Sequence, residues 1–159
     1  MVNALFGFKD RYKPMDRPSF EKLVERSLER LPGKFRNKLR NIMIEIEDEP
    51  PEDVLDDMGI EEGTLYGLYQ GVPLTERELN FGNFLPDRIV IYQGPIERDA
   101  ANNAEVEEIV LDTVVHEIGH YFGFDDRTLY EIEDEKSKNS QVGGGEGGKV
   151  GKKQKHKRQ

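Results

Sequence analysis

Phe20, Leu23, Val24, Leu28 and Leu31 recur at steps of three and four, which puts them on one side of a chain coiled at 3.6 residues per turn. Ser19 is the expected N-cap and Pro32-Gly33 the stop, so residues 19–31 are predicted to form an amphipathic helix. The period then changes. Ile42, Ile44 and Ile46 alternate with Met43, Glu45 and Glu47, the pattern of a strand with one face on a core. Pro50-Pro51 ends that strand and opens a short helix through Val54, Leu55 and Met58, closed by Gly59. Residues 65–69 and 88–92 read as a second and a third strand. The segment between them, residues 71–86, contains Gly71, Pro73, Gly82 and Pro86 and reads as a long loop of the kind that often carries function. Asn102 and Glu105 have the spacing of a capping box, and the helix they open runs through Val106, Ile109, Val110, Val114 and Ile118 to about Phe122. A short helix over residues 127–132 is expected to pack back on the body. This order of elements implies an α+β fold, with helices packed on a small mixed sheet.

Residues outside these elements define three regions. Residues 1–18 hold Pro14 and Pro18 without a sustained period and read as an N-terminal arm. Residues 19–134 form the domain. Residues 135–159 are rich in Ser, Gly and Lys, lack a pattern, and are expected to be disordered.

Composition narrows the chemistry. The chain of 159 residues has no cysteine, which removes disulfides, thiolate metal sites and a cysteine nucleophile, so any metal must sit on His, Asp or Glu. No run approaches the roughly 18 apolar residues of a membrane span. The apolar patch at residues 4–8 lacks a basic region ahead of it, and a cytoplasmic protein is expected. The net charge of −9 is unevenly spread: six of the 23 basic residues and none of the 32 acidic ones fall within residues 149–159, leaving −15 on residues 1–148. Such an acidic body argues against nucleic-acid binding by the fold itself, so that contact with nucleic acid is confined to the basic tail. The acidic run over residues 45–53 is read as a solvated strand end and a helix start favoured by negative charge. Gly143, Gly148 and Lys149 match the GxxxxGK spacing of a phosphate loop, but Val150 stands where Ser or Thr is needed and no strand or helix flanks them.

The chemistry concentrates on the last long helix, in His116-Glu117-Ile118-Gly119-His120. At about 100° per residue the two histidines lie some 40° apart on one face, where two imidazoles can share one ion. Leu111, Val114, Val115, Ile118 and Phe122 fill the opposite arc, which predicts a core face there and histidines turned toward a cleft. Glu117, one step from His116, can reach a water on the open side of a metal and is the expected general base. A catalytic zinc site needs three protein ligands and one open position. Gly123 lets the backbone leave the helix so that Asp126 can face the metal, with the adjacent Asp125 as the competing ligand or helix-end cap. His116, His120 and Asp126 are therefore the expected ligands of one zinc ion, and Glu117 the catalytic residue. No oxyanion stabiliser is assigned; the nearby donors Tyr121, Arg127 and Tyr130 are read as structural.

The segment HEIGHYFGFDD resembles the HExxHxxGxxD helix and turn of the small bacterial zincin-like metallopeptidases, and the similarity extends over roughly residues 15–133, through NIMIEIEDEPPED, LYGLYQGVPLTER and LPDRIVIYQGPIE. That resemblance implies a minimal zincin fold with zinc on His116, His120 and Asp126 and with Glu117 catalytic. The metzincins share the ligand spacing but end it in His and have a methionine turn downstream, whereas no Met follows Met58 here. An rRNA-processing endoribonuclease family has the same spacing without the glutamate and with His last, so Glu117 and Asp126 favour peptide hydrolysis over RNA cleavage. A metal-stabilised binding module with little catalysis is the remaining alternative. The expected substrate is an extended peptide or protein segment, held by strand addition beside the helix.

Overall fold

The computed structural model describes residues 14–77, 86–125 and 127. Among the described residues nine elements follow one another: α1 (Arg17–Glu29), α2 (Gly33–Arg36), β1 (Ile42–Glu47), α3 (Glu52–Asp57), β2 (Gly67–Gln70), α4 (Leu74–Arg77), β3 (Asp87–Tyr92), α5 (Gln93–Asp99) and α6 (Asn103–Tyr121). The strands form one mixed sheet in the order β1-β3-β2, with β1 parallel and β2 antiparallel to the central β3. This is the α+β arrangement that the pattern predicts.

Each face of the sheet has its own core. Ile89 and Ile91 of β3 and Tyr69 of β2 pack with Phe20, Leu23 and Val24 of α1 and with Val106, Val110, Val114 and Ile118 of α6, all buried. Val90 and Tyr92 of β3 and Leu68 of β2 point the other way, onto Met58 and Leu65, with Val54 and Leu55 of α3 alongside. A central strand covered on both faces has to be apolar throughout, which is why β3 lacks the alternation seen in β1. In β1 the alternation matches the geometry. Ile42, Ile44 and Ile46 lean on the first core, while Met43 is half exposed and Glu45 and Glu47 both pair with Arg88 of β3.

The helix ends refine the expectation. α1 begins at Arg17, and its N-cap is Asp16, whose carboxylate accepts the Ser19 N–H, rather than Ser19 itself. Pro18 explains the shift: its fixed φ and missing N–H suit the first turn, so the helix starts before it. α6 is capped as the sequence predicts. Asn102 Oδ1 accepts the Glu105 N–H at 3.0 Å, and Glu105 Oε2 reaches back to the Ala101 N–H at 2.7 Å. α2, α4 and α5 are additional to the predicted set. α5 follows β3 without a loop and opens with Pro95 in its first turn. α4 lies within the predicted loop over residues 71–86, of which residues 78–85 are outside the described residues. So are residues 128–132 of the predicted last helix, the N-terminal residues 1–13 and the tail. Among the described residues no helix is long and apolar enough to cross a membrane.

Candidate metal site on helix α6

α6 brings its C-terminal half against the edge strand β2, and the sequence makes that approach possible at Gly67. A Cβ there would lie 2.6 Å from Thr113 Cγ2 and 3.1 Å from Glu117 Cγ, closer than side chains ordinarily pack. Tyr92 donates to the Tyr66 carbonyl at 2.8 Å, which fixes the antiparallel ladder so that Leu68 and Gln70 bond β3 while Gly67 and Tyr69 turn their backbone groups outward. The outward Tyr69 N–H donates to Glu117 Oε2 at 2.8 Å, and Glu117 is only 1% exposed. The strand edge thus positions the one acid of the HExxH segment. An ionised carboxylate offers about four acceptor positions, of which this bond takes one.

His116 and His120 come together one turn apart, their ring centroids 4.9 Å from each other and their planes at 76°. Both are 3% exposed. Here the structure corrects the helical-wheel expectation, because the histidines are enclosed while Leu111 and Val115, assigned to the core face, are half-buried. Those two line an apolar groove of about 420 Å³ with Leu31, Phe35, Phe122 and Phe124. The difference is tertiary: β2 packs on the Thr113 and Glu117 side of the helix, whereas Leu111 and Val115 lie along a groove lined by the α1–α2 corner at Leu31 and Pro32.

The turn after α6 orients His120. The Gly123 N–H donates to the His120 carbonyl at 2.9 Å and the Phe124 N–H to the Gly119 carbonyl at 3.0 Å, the bond pair of a Schellman turn. It requires φ = +93° at residue 123, where glycine stands. A Cβ at that position would also meet Thr75 Oγ1 at 2.3 Å, so the turn is packed against α4. The same turn holds the Phe124 carbonyl 3.0 Å from His120 Nδ1. A carbonyl only accepts, so Nδ1 carries a proton, and in the neutral ring this leaves the lone pair on Nε2, the tautomer of a metal-ligating imidazole whose outer nitrogen is fixed by a backbone carbonyl.

Surrounding groups set the electrostatics. Burial, followed by the carboxylate of Glu47, pushes the Tyr92 phenol up to about 12, and Glu117 adds to the same direction. Burial and then the Asp87 carboxylate hold the Tyr69 phenol above its ordinary range. Both phenols therefore stay neutral beside the site. Arg77 ties the segment after β2 down by pairing with the buried Asp87, donating to the Val72 carbonyl at 2.6 Å and lying 5.5 Å from the centre of the Tyr121 ring.

Of the predicted site residues, the structure joins His116, Glu117 and His120 on one helix. Asp126 lies outside the described residues, and among the described residues no three His, Asp or Glu side chains group as a metal site. Asp125 and Arg127 are exposed. Tyr121 is buried, with its hydroxyl at 3.2 Å from the backbone of Lys38 and Arg40, which makes it an anchor for the chain entering β1. Tyr130 lies outside the described residues. The sequence pattern does not point to the Tyr69 N–H, the Phe124 carbonyl or Thr75; Gly123 is the one signal that a specific turn follows the helix.

Comparison with curated proteins finds no match for the chain. Among solved structures, a conserved hypothetical protein from Thermo thermophilus is similar at 23% identity, covering 76% of this chain and 99% of that one, with a TM-score of 0.45. The family model described as zincin-like metallopeptidase matches residues 39–136.

Proposed function

Since the chain belongs to the zincin-like metallopeptidase family, a family of metal-dependent hydrolases, we propose that it hydrolyses peptide bonds in extended segments of peptides or proteins, with one zinc ion held by His116, His120 and Asp126. The observation that carries this reading is the pair of imidazoles converging at 4.9 Å with the His120 Nδ1 proton on the Phe124 carbonyl, beside a buried Glu117. Two neutral imidazoles and a carboxylate are a donor set that suits zinc. Bound there, zinc would polarise the scissile carbonyl and lower the pKa of a water toward ~7. Glu117, with its carboxylate fixed by the Tyr69 N–H, takes the proton of the attacking water and returns it to the leaving amine. β2 ends the sheet beside α6, which suits an extended substrate laid along that edge. A cytoplasmic location fits a chain without cysteine.

The test is digestion of a peptide library and of a structured RNA by zinc-loaded wild type and by Glu117→Gln. The amide oxygen of Gln can still accept from Tyr69, so the variant keeps its fold and its metal. Peptide cleavage by the wild type and its loss in Glu117→Gln support the reading. RNA cleavage that persists in Glu117→Gln overturns it in favour of a nuclease, and a zinc-loaded wild type that cuts neither overturns it in favour of a binding module.

A further inference from the structure

The sheet has a second edge, on β1, across the central β3 from the edge that faces α6. The Asp87 N–H donates to the Asn41 carbonyl at 2.9 Å, which sets the parallel ladder so that Met43, Glu45 and Glu47 bond β3. Ile42, Ile44 and Ile46 therefore turn their N–H and C=O groups away from the sheet, and β3 is the one strand beside β1 among the described residues. Open edges pair with other strands unless something covers them. Along this edge runs a groove of about 600 Å³ between β1 and α1, floored by Ile44, Ile46, Val24 and Leu28 and flanked on α1 by Glu21 and Glu25. Glu45 and Glu47 are paired with Arg88, whereas Glu21 and Glu25 are exposed carboxylates.

We propose that this groove is the docking site of the chain's own basic tail, with residues 152–158 adding to β1 as a further strand. Charge, spacing and reach support it. Lys153, Lys155 and Lys157 alternate with Gln154, His156 and Arg158, so an extended tail puts three lysines on one side. Alternate strand residues are about 6.6 Å apart, and Glu21 and Glu25, four apart on a helix, are about 6 Å apart, so successive lysines match the two carboxylates. Lysine is also the residue that natural edge strands favour. Residues 135–151 include the glycine-rich run 143–148, and a glycine-rich coil of that length would have an r.m.s. span of about 23 Å, the scale of a domain of this size. A second copy pairing through the same edge would bring Glu21 and Glu25 toward their own counterparts on bodies of formal charge −15, which disfavours that occupant.

Amide hydrogen exchange of the full chain at low ionic strength tests the proposal. The Ile42, Ile44 and Ile46 amides report the outer edge, while those of Met43, Glu45 and Glu47, bonded to β3, report the integrity of the sheet. Reversing the tail to Glu at Lys152, Lys153, Lys155, Lys157 and Arg158 should speed exchange of the three isoleucine amides about tenfold, the ratio of a millimolar effective concentration to a peptide affinity of about 0.1 mM. Glu21→Lys/Glu25→Lys should do the same, and combining both sets of reversals should restore protection. The inner amides should not change in any variant. Equal exchange of the isoleucine amides in wild type and tail-reversed chain overturns the proposal, as does failure of the combined reversal to restore protection. Protection that disappears on dilution overturns it too, and assigns the edge to a second copy.

Discussion

Replacing Gly123 by Ala strikes the turn that joins the end of α6 to the orientation of His120. Two separate terms oppose the substitution. A non-glycine residue in left-handed backbone costs about 1–2 kcal/mol, and φ at this position is +93°. The new Cβ would also lie 2.3 Å from Thr75 Oγ1 and 2.7 Å from Thr75 Cγ2, an overpacking that costs about 1–3 kcal/mol. Thr75→Ala removes both of those atoms and leaves only the Thr75 Cβ, at 3.1 Å. A double-mutant cycle separates the terms: Gly123→Ala should lose about 1–2 kcal/mol in the Thr75→Ala background and about 1–3 kcal/mol more beside the native threonine. Urea unfolding in the presence of a chelator measures both without a contribution from metal. A second readout follows from the Phe124 carbonyl, which the turn holds 3.0 Å from His120 Nδ1. Loss of such an outer bond typically weakens metal affinity by about 10–100-fold, and competition with a chromophoric chelator would register it. A Gly123→Ala variant within about 0.5 kcal/mol of wild type and with unchanged zinc affinity would show that the turn neither needs glycine nor orients His120.

Gly67→Ala should cost about 1–3 kcal/mol by pushing β2 off α6, and Thr113→Ser, which removes the methyl 2.6 Å from the new Cβ, should recover part of it in urea unfolding. Asn102→Ala should cost about 1 kcal/mol through loss of the α6 cap, and Asn102→Gly only a few tenths. The Ser19 hydrogen bond holds the Asp16 carboxyl below its ordinary value of 3.8. A depressed carboxyl stabilises the fold above its unfolded value and loses that contribution as pH falls through the folded one. Wild type should therefore lose more thermal stability than Asp16→Asn as pH is lowered from the neutral range to below 3.8, and parallel acid-side melting curves would exclude the N-cap role.

The parts of the fold set by local patterns can be read from the chain. Alternation of Ile42, Ile44 and Ile46 marks β1 because one face of that strand is covered and the other is wet. Asn102 and Glu105 mark the start of α6 because a capping box is local chemistry. α5 leaves little trace because Ile96 is its one large aliphatic residue and Pro95 reads as a breaker, although proline suits a first turn. The setting of the acid is non-local. It depends on β2 pairing with β3 in the register that turns the Tyr69 N–H outward onto Glu117, and the groove along Leu111 and Val115 depends on where the α1–α2 corner packs, neither of which a helical wheel contains. His116, Glu117 and His120 are legible as a set because their spacing belongs to one helix. The carbonyl that fixes the His120 tautomer is not, since it comes from backbone whose placement depends on the Gly123 turn.

Elemental analysis of zinc in purified wild type, His116→Ala, His120→Ala and Glu117→Gln, after dialysis against trace metal-free buffer, shows whether the paired imidazoles of α6 hold the metal. One zinc per chain is expected in wild type and in Glu117→Gln, with loss of zinc in both histidine variants. Zinc bound equally by all four proteins, or retained by the histidine variants while Glu117→Gln loses it, would contradict a metal site built on the paired imidazoles of α6.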